Sequence, residues 1–91
     1  MLTVFTEGVF DLLPMNHMRL LHEARAMGDR LLVGVTPDDD TASYKRRPIL
    51  TLEERMETVR ATGIAAHVLP LPHRPGITAE LLDEHAIGLV V

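Results

Sequence analysis

The chain has 91 residues, 46% of them apolar, and a formal net charge of −4. That is enough for one small domain with a thin core, and the acidic balance disfavours a general nucleic-acid or anionic-membrane binder, which needs a basic face. Cysteine is absent, which removes disulfides, thiolate metal sites and a Cys nucleophile, and the three aromatic residues, Phe5, Phe10 and Tyr44, leave few platforms for base stacking. The apolar start, Leu2 to Phe5, is too short for a signal peptide or a membrane span, so a cytoplasmic protein is expected.

Residues 2–6 read as a buried strand that runs into Gly8 and a bend through Asp11. Residues 17–28 read as a helix, with apolar Leu20, Ala24 and Met27 at i, i+4 and i+7. Asn16 is a candidate N-cap and Gly28 a stop. Strand, tight turn and helix N-terminus is how α/β folds build a phosphate site. RLLVGV, 30–35, is almost entirely apolar, as a parallel strand covered on both faces should be.

The polar run TPDDDTASYKRRP has no period and reads as a loop. Thr51 and Glu54 have the spacing of a capping box, opening a helix that runs to about Thr62 and stops at Gly63. Residues 65–69 make a third strand. Pro70, Pro72, Pro75 and Gly76 then exclude regular structure until Thr78, which caps a short helix over 79–85. Residues 87–91 form a fourth strand.

The order β-α-β-α-β-α-β predicts a doubly wound, Rossmann-like α/β domain over residues 1–91, with a parallel sheet and right-handed crossovers. No internal repeat or linker is visible. The chain ends on the apolar run GLVV, which leads to the expectation that the domain is C-terminally incomplete.

Four segments carry a family likeness: EGVFDLL (7–13), ARAMGDRLLVGV (24–35), YKRRPILTLEER (44–55) and ITAELLDEHAIGLVV (77–91). Together they resemble, in order and spacing, the cytidylyltransferase-like nucleotidyltransferases of the H-x-G-H superfamily. The choline-phosphate, ethanolamine-phosphate and glycerol-3-phosphate cytidylyltransferases are the nearest in pattern. The resemblance implies transfer of CMP from CTP to a phosphorylated alcohol with release of pyrophosphate. It implies magnesium entering with the nucleotide, a homodimer, and a place in phospholipid or cell-envelope synthesis; CTP is expected over ATP. Two departures stand out. The family's H-x-G-H falls on Pro14, Met15, Asn16 and His17, so its first His is a proline, which has no side-chain donor. The family's later R-T-x-G-[IV]-S segment has no counterpart in these residues. A second reading follows, a catalytically impaired homologue that binds nucleotide or serves as a dimerisation module.

The resemblance assigns catalysis to His17 and Lys45, and phosphate or nucleotide binding to Gly8, Phe10, His17, Lys45 and Arg55. Nucleotidyl transfer needs charge neutralisation and in-line positioning, and these residue types can supply both. Each also has a plainer reading. A His at a helix start is commonly solvated or a cap, and Gly8 can simply end a strand. Phe10 can pack the loop, and Asp11 can cap the turn. Lys45, with Arg46 and Arg47, can be a solvated charge run, and Arg55 can pair with nearby Glu residues on a helix surface. Asp38, Asp39 and Asp40 in a row read as solvated or capping, and His67, His73 and His85 lack metal-ligand spacing. No resident metal site is expected.

Overall fold

The computed structural model describes residues 1–37, 48–72 and 74–91. They form β1 (Thr3–Gly8), α1 (Met15–Ala26), β2 (Arg30–Val35), α2 (Leu52–Ala61), β3 (His67–Pro70), α3 (Ala79–Glu84) and β4 (Ile87–Val90). The strands make one sheet in the order β3-β2-β1-β4, and every pairing is parallel. The expected α/β architecture is therefore present, with helices on both faces.

Strand alternation explains the two faces. Val4, Leu31, Val33, Val35 and Val68 project one way and meet Leu21 and Ala24 of α1 and Met56 and Val59 of α2. Phe5 and Leu32 project the other way and meet Leu71, with Leu81 of α3 and Ile87 of β4 packed beside them. Two glycines are needed for close approach. A Cβ on Gly34 would lie 2.8 Å from the Phe5 ring and 3.1 Å from Leu71. One on Gly28 would lie 2.6 Å from Val4 and 2.8 Å from the Leu2 carbonyl.

The crossovers step from β1 to β2 to β3, then return past β1 to β4. The strand order thus reverses between β1 and β4, and in open α/β sheets ligands gather at the carboxyl ends of strands flanking such a point. At that end Thr36 N–H donates to the Gly8 carbonyl (3.0 Å), and Val91 N–H donates to that of Phe5 (2.9 Å).

Most element boundaries fall within a residue of expectation, and three depart further. β1 runs on through Gly8 because β2 supplies partners as far as Val35. β3 is shifted to 67–70 and includes Pro70, opposite Val35; a proline is tolerated there because β3 is an outer strand and Pro70 ends it. Helix α1 begins at Met15, two residues before His17, so Asn16 is not its cap. Pro14 is the cap, with φ −67° and no side-chain bond, and its carbonyl accepts the N–H groups of His17 (2.9 Å) and Met18 (3.1 Å).

Candidate active site

The carboxyl edge of β1 gathers four of the expected site residues. Gly8 ends the strand. The Phe10 ring folds over it so closely that a Cβ on Gly8 would come within 3.1 Å of the ring. Phe10 is 1% exposed and belongs to the core, so the packing reading of this side chain is the one observed. Its other side meets His17 edge-on, with ring centroids 5.6 Å apart at 75°.

His17 is the third residue of α1, not its first. It is half-buried, and its Nδ1 is buried with no hydrogen-bond partner among the described residues. Buried polar atoms are nearly always paired, so an orphan ring nitrogen marks a place for a further partner. It lies in the first turn of a 12-residue helix. The N–H groups of Met15 and Asn16 there have no intrahelical acceptor, and the first turn holds no acidic residue. Free amides, the positive end of the helix dipole and an imidazole together suit an anion.

The loop leading into α1 is strained. Phe10, Leu12 and Leu13 have φ values of 54°, 59° and 40°. Each left-handed non-glycine residue costs about 1–2 kcal/mol, and such residues persist where their surroundings hold them.

Arg55 is 0% exposed, which excludes a surface pairing with neighbouring Glu residues. Its Nε donates to the Leu50 carbonyl (3.2 Å), and its Nη1 donates to the carbonyls of Val9 (2.8 Å) and Thr36 (2.7 Å). These carbonyls belong to the exits of β1 and β2 and to the approach to α2. Arg55 therefore sits behind the loops as a tie between them.

Asp11 is the residue that sequence reasoning places poorly. Rather than closing its own turn, its carboxylate accepts the N–H groups of Ile49 (2.9 Å) and Leu50 (3.0 Å). The available signal is a lone carboxylate in the apolar run VFDLL, and its partners stand 38 and 39 residues later. Local pattern says nothing at that range.

Lys45, Arg46, Arg47 and Asp38–Asp40 lie outside the described residues, as does His73. His67 and His85 pair at a ring-centroid distance of 6.1 Å, where β3 begins and α3 ends. Among the described residues no three His, Cys, Asp or Glu side chains converge as a metal site would require. No helix there is long and apolar enough to cross a membrane.

A parallel sheet whose strand order reverses beside the N-terminus of α1 is the arrangement of a doubly wound α/β domain. Residues 5–91 match the cytidylyltransferase-like family, and the chain belongs to it. Among its relatives, the ethanolamine-phosphate cytidylyltransferase of Mus musculus is 40% identical over 83 residues, covering 90% of this chain and 20% of that protein. The FAD synthase of Methanosarcina barkeri is 38% identical over 94 residues, covering 92% of this chain and 67% of that protein. The fold is shared with the lipopolysaccharide core biosynthesis protein from Thermoplasma volcanium GSS1, at a TM-score of 0.84 and 23% identity over 99% of this chain and 72% of that one. This chain thus spans about a fifth of the mouse protein's length.

Proposed function

We propose that this chain is the nucleotide-binding part of a nucleotidyltransferase that moves CMP from CTP to a phosphorylated alcohol of the ethanolamine-phosphate type. The observation that carries the reading is the first turn of α1: a His17 Nδ1 with no partner among the described residues, in a turn whose leading amides have no intrahelical acceptor, beside the strand-order reversal. The relatives named for ethanolamine-phosphate cytidylyltransfer support the choice of substrates.

In this reading the acceptor's phosphate oxygen attacks the α-phosphorus of CTP. A new P–O bond forms, and the bond to the bridging α–β oxygen breaks, its electron pair leaving on pyrophosphate. The acceptor phosphate is already ionised at neutral pH, so no general base is needed. His17 and the α1 amides neutralise charge on the phosphates. Lys45 follows the charge onto the departing pyrophosphate. Gly8 admits the Phe10 ring at the strand end, and Arg55 holds the loops that frame the phosphates. Magnesium arrives as part of the nucleotide substrate. A cytoplasmic homodimer is the expected setting, with sizing by light scattering as its check.

Titration calorimetry with MgCTP, and separately with MgATP, tests the reading. Binding of MgCTP in preference to MgATP supports it, and absence of binding by either overturns it. The FAD synthase relative is the reason for the adenine nucleotide arm.

A second reading, a catalytically impaired nucleotide binder, is favoured by one observation. Pro14 occupies the cap of α1 with no side-chain bond, where the family pattern has a histidine. Under that reading the chain binds MgCTP but transfers slowly, and Pro14→His raises the rate by roughly two orders of magnitude, the usual worth of one preorganised donor.

A further inference from the structure

We infer that Asp11 is a positioning residue for the N-terminus of α1, holding the strained loop 9–14 in the shape that presents His17 and the first-turn amides to phosphate. The inference rests on the nucleotide reading above and adds to it a residue that acts through the loop it holds.

The geometry is a closed cycle of bonds. Asp11 Oδ1 accepts Leu50 N–H at 3.0 Å, and Oδ2 accepts Ile49 N–H at 2.9 Å. The Leu50 carbonyl accepts Arg55 Nε–H at 3.2 Å, so the Leu50 residue is gripped at both its N–H and its C=O. Arg55 Nη1 returns to the Val9 carbonyl at 2.8 Å, two residues before Asp11. The same Nη1 reaches Thr36 at 2.7 Å, and Thr36 N–H donates to Gly8, which brings the exit of β2 into the cycle.

The left-handed residues stand on both sides of Asp11: Phe10 before it, Leu12 and Leu13 after. Left to itself, such a loop relaxes toward negative φ. The cycle opposes that relaxation, because Asp11 is pinned to the approach to α2 while Val9 is pinned to Arg55. Pro14, the cap that accepts His17 and Met18, directly follows the loop. A shift in the loop therefore becomes a shift of the first turn of α1. A displacement of about 1 Å in a positioning element is enough to cost as much as a hundredfold in function.

Cutting the cycle at Asp11 leaves the buried guanidinium in place, so Asp11→Asn is the informative variant. It keeps size and one acceptor oxygen but turns an amide NH₂ toward one of the two N–H groups. Asp11→Glu keeps the carboxylate and serves as the conservative partner. Thr78→Ala, which removes the cap of α3 on the far face, supplies a destabilised control with loop 9–14 untouched.

The experiment measures MgCTP affinity by calorimetry, thermal midpoint, and amide hydrogen exchange at Ile49 and Leu50 on the full chain. The expected result is faster exchange at both amides in Asp11→Asn and about tenfold weaker MgCTP binding. Partial recovery is expected in Asp11→Glu, and unchanged affinity in Thr78→Ala. Wild-type affinity in Asp11→Asn, despite faster exchange, would overturn the positioning role. An equal loss in Thr78→Ala would reduce it to general destabilisation and overturn it as well. Failure of the wild-type chain to bind MgCTP is a different result, since it removes the nucleotide reading before any variant is compared.

Discussion

Helices α1 and α2 both begin at the carboxyl edge of the sheet, and their first turns are built in opposite ways. At α2 the cap is complete: Thr51 Oγ1 accepts Glu54 N–H at 3.2 Å, and Glu54 Oε1 accepts Thr51 N–H at 2.9 Å. Glu53 and Glu54 add negative charge to the first turn. At α1 the cap is a proline without a side-chain bond, the first turn has no acid, and a buried histidine nitrogen has no partner among the described residues. A first turn that satisfies its own amides and carries carboxylates repels an anion. One that leaves them open attracts it. Of two helices facing the same edge, one closes its first turn with its own side chains, and the other does not.

Substitutions at these two N-termini test the contrast. The largest effect is expected from His17→Ala. It should lower MgCTP affinity or transfer by about two orders of magnitude or more, read by titration and by pyrophosphate release. A wild-type value would remove His17 from the site. Arg55→Met should cost roughly 3 kcal/mol or more by leaving the carbonyls of Val9, Thr36 and Leu50 without their buried donor. Denaturant unfolding measures this loss, and a change below about 1 kcal/mol would show that the tie matters little.

Met15→Glu makes the first turn of α1 resemble that of α2. The added carboxylate should stabilise the helix by about 0.5 kcal/mol while weakening MgCTP binding severalfold, so stability and affinity move in opposite directions. Joint improvement would contradict the contrast. The smallest effect belongs to Thr51→Ala. It should cost about 1 kcal/mol of stability with MgCTP affinity unchanged, since the N-terminus of α2 is closed to the phosphate.

The candidate site is legible in the sequence to different depths. Gly8, Phe10 and His17 stand out in the run after the first strand, and the structure gathers them at one edge. Phe10 packs rather than faces outward because the thin aliphatic core uses its ring to cover Gly8 and His17. Arg55 stands out for its spacing in YKRRPILTLEER, yet its environment is not predictable from that spacing. Whether an arginine on a helix faces solvent or the sheet depends on which loops close over it. Asp11 reads locally as a turn cap, because its partners lie on a segment that reaches it through folding.

Features governed by rules that reach about four residues are available from the chain alone. The capping box at Thr51, the cap at Thr78 with Leu81 N–H at 3.1 Å, the strand RLLVGV and the alternation that implies a parallel sheet are of this kind. Periodicity and capping are properties of neighbours along the chain. The closeness that requires glycine at 28 and 34, the burial of Arg55 and the grip of Asp11 on Leu50 are of another kind. They arise when segments tens of residues apart are pressed together. Close packing at the sheet surface, and the need to pair every buried N–H and C=O, then select among conformations that local preference leaves open.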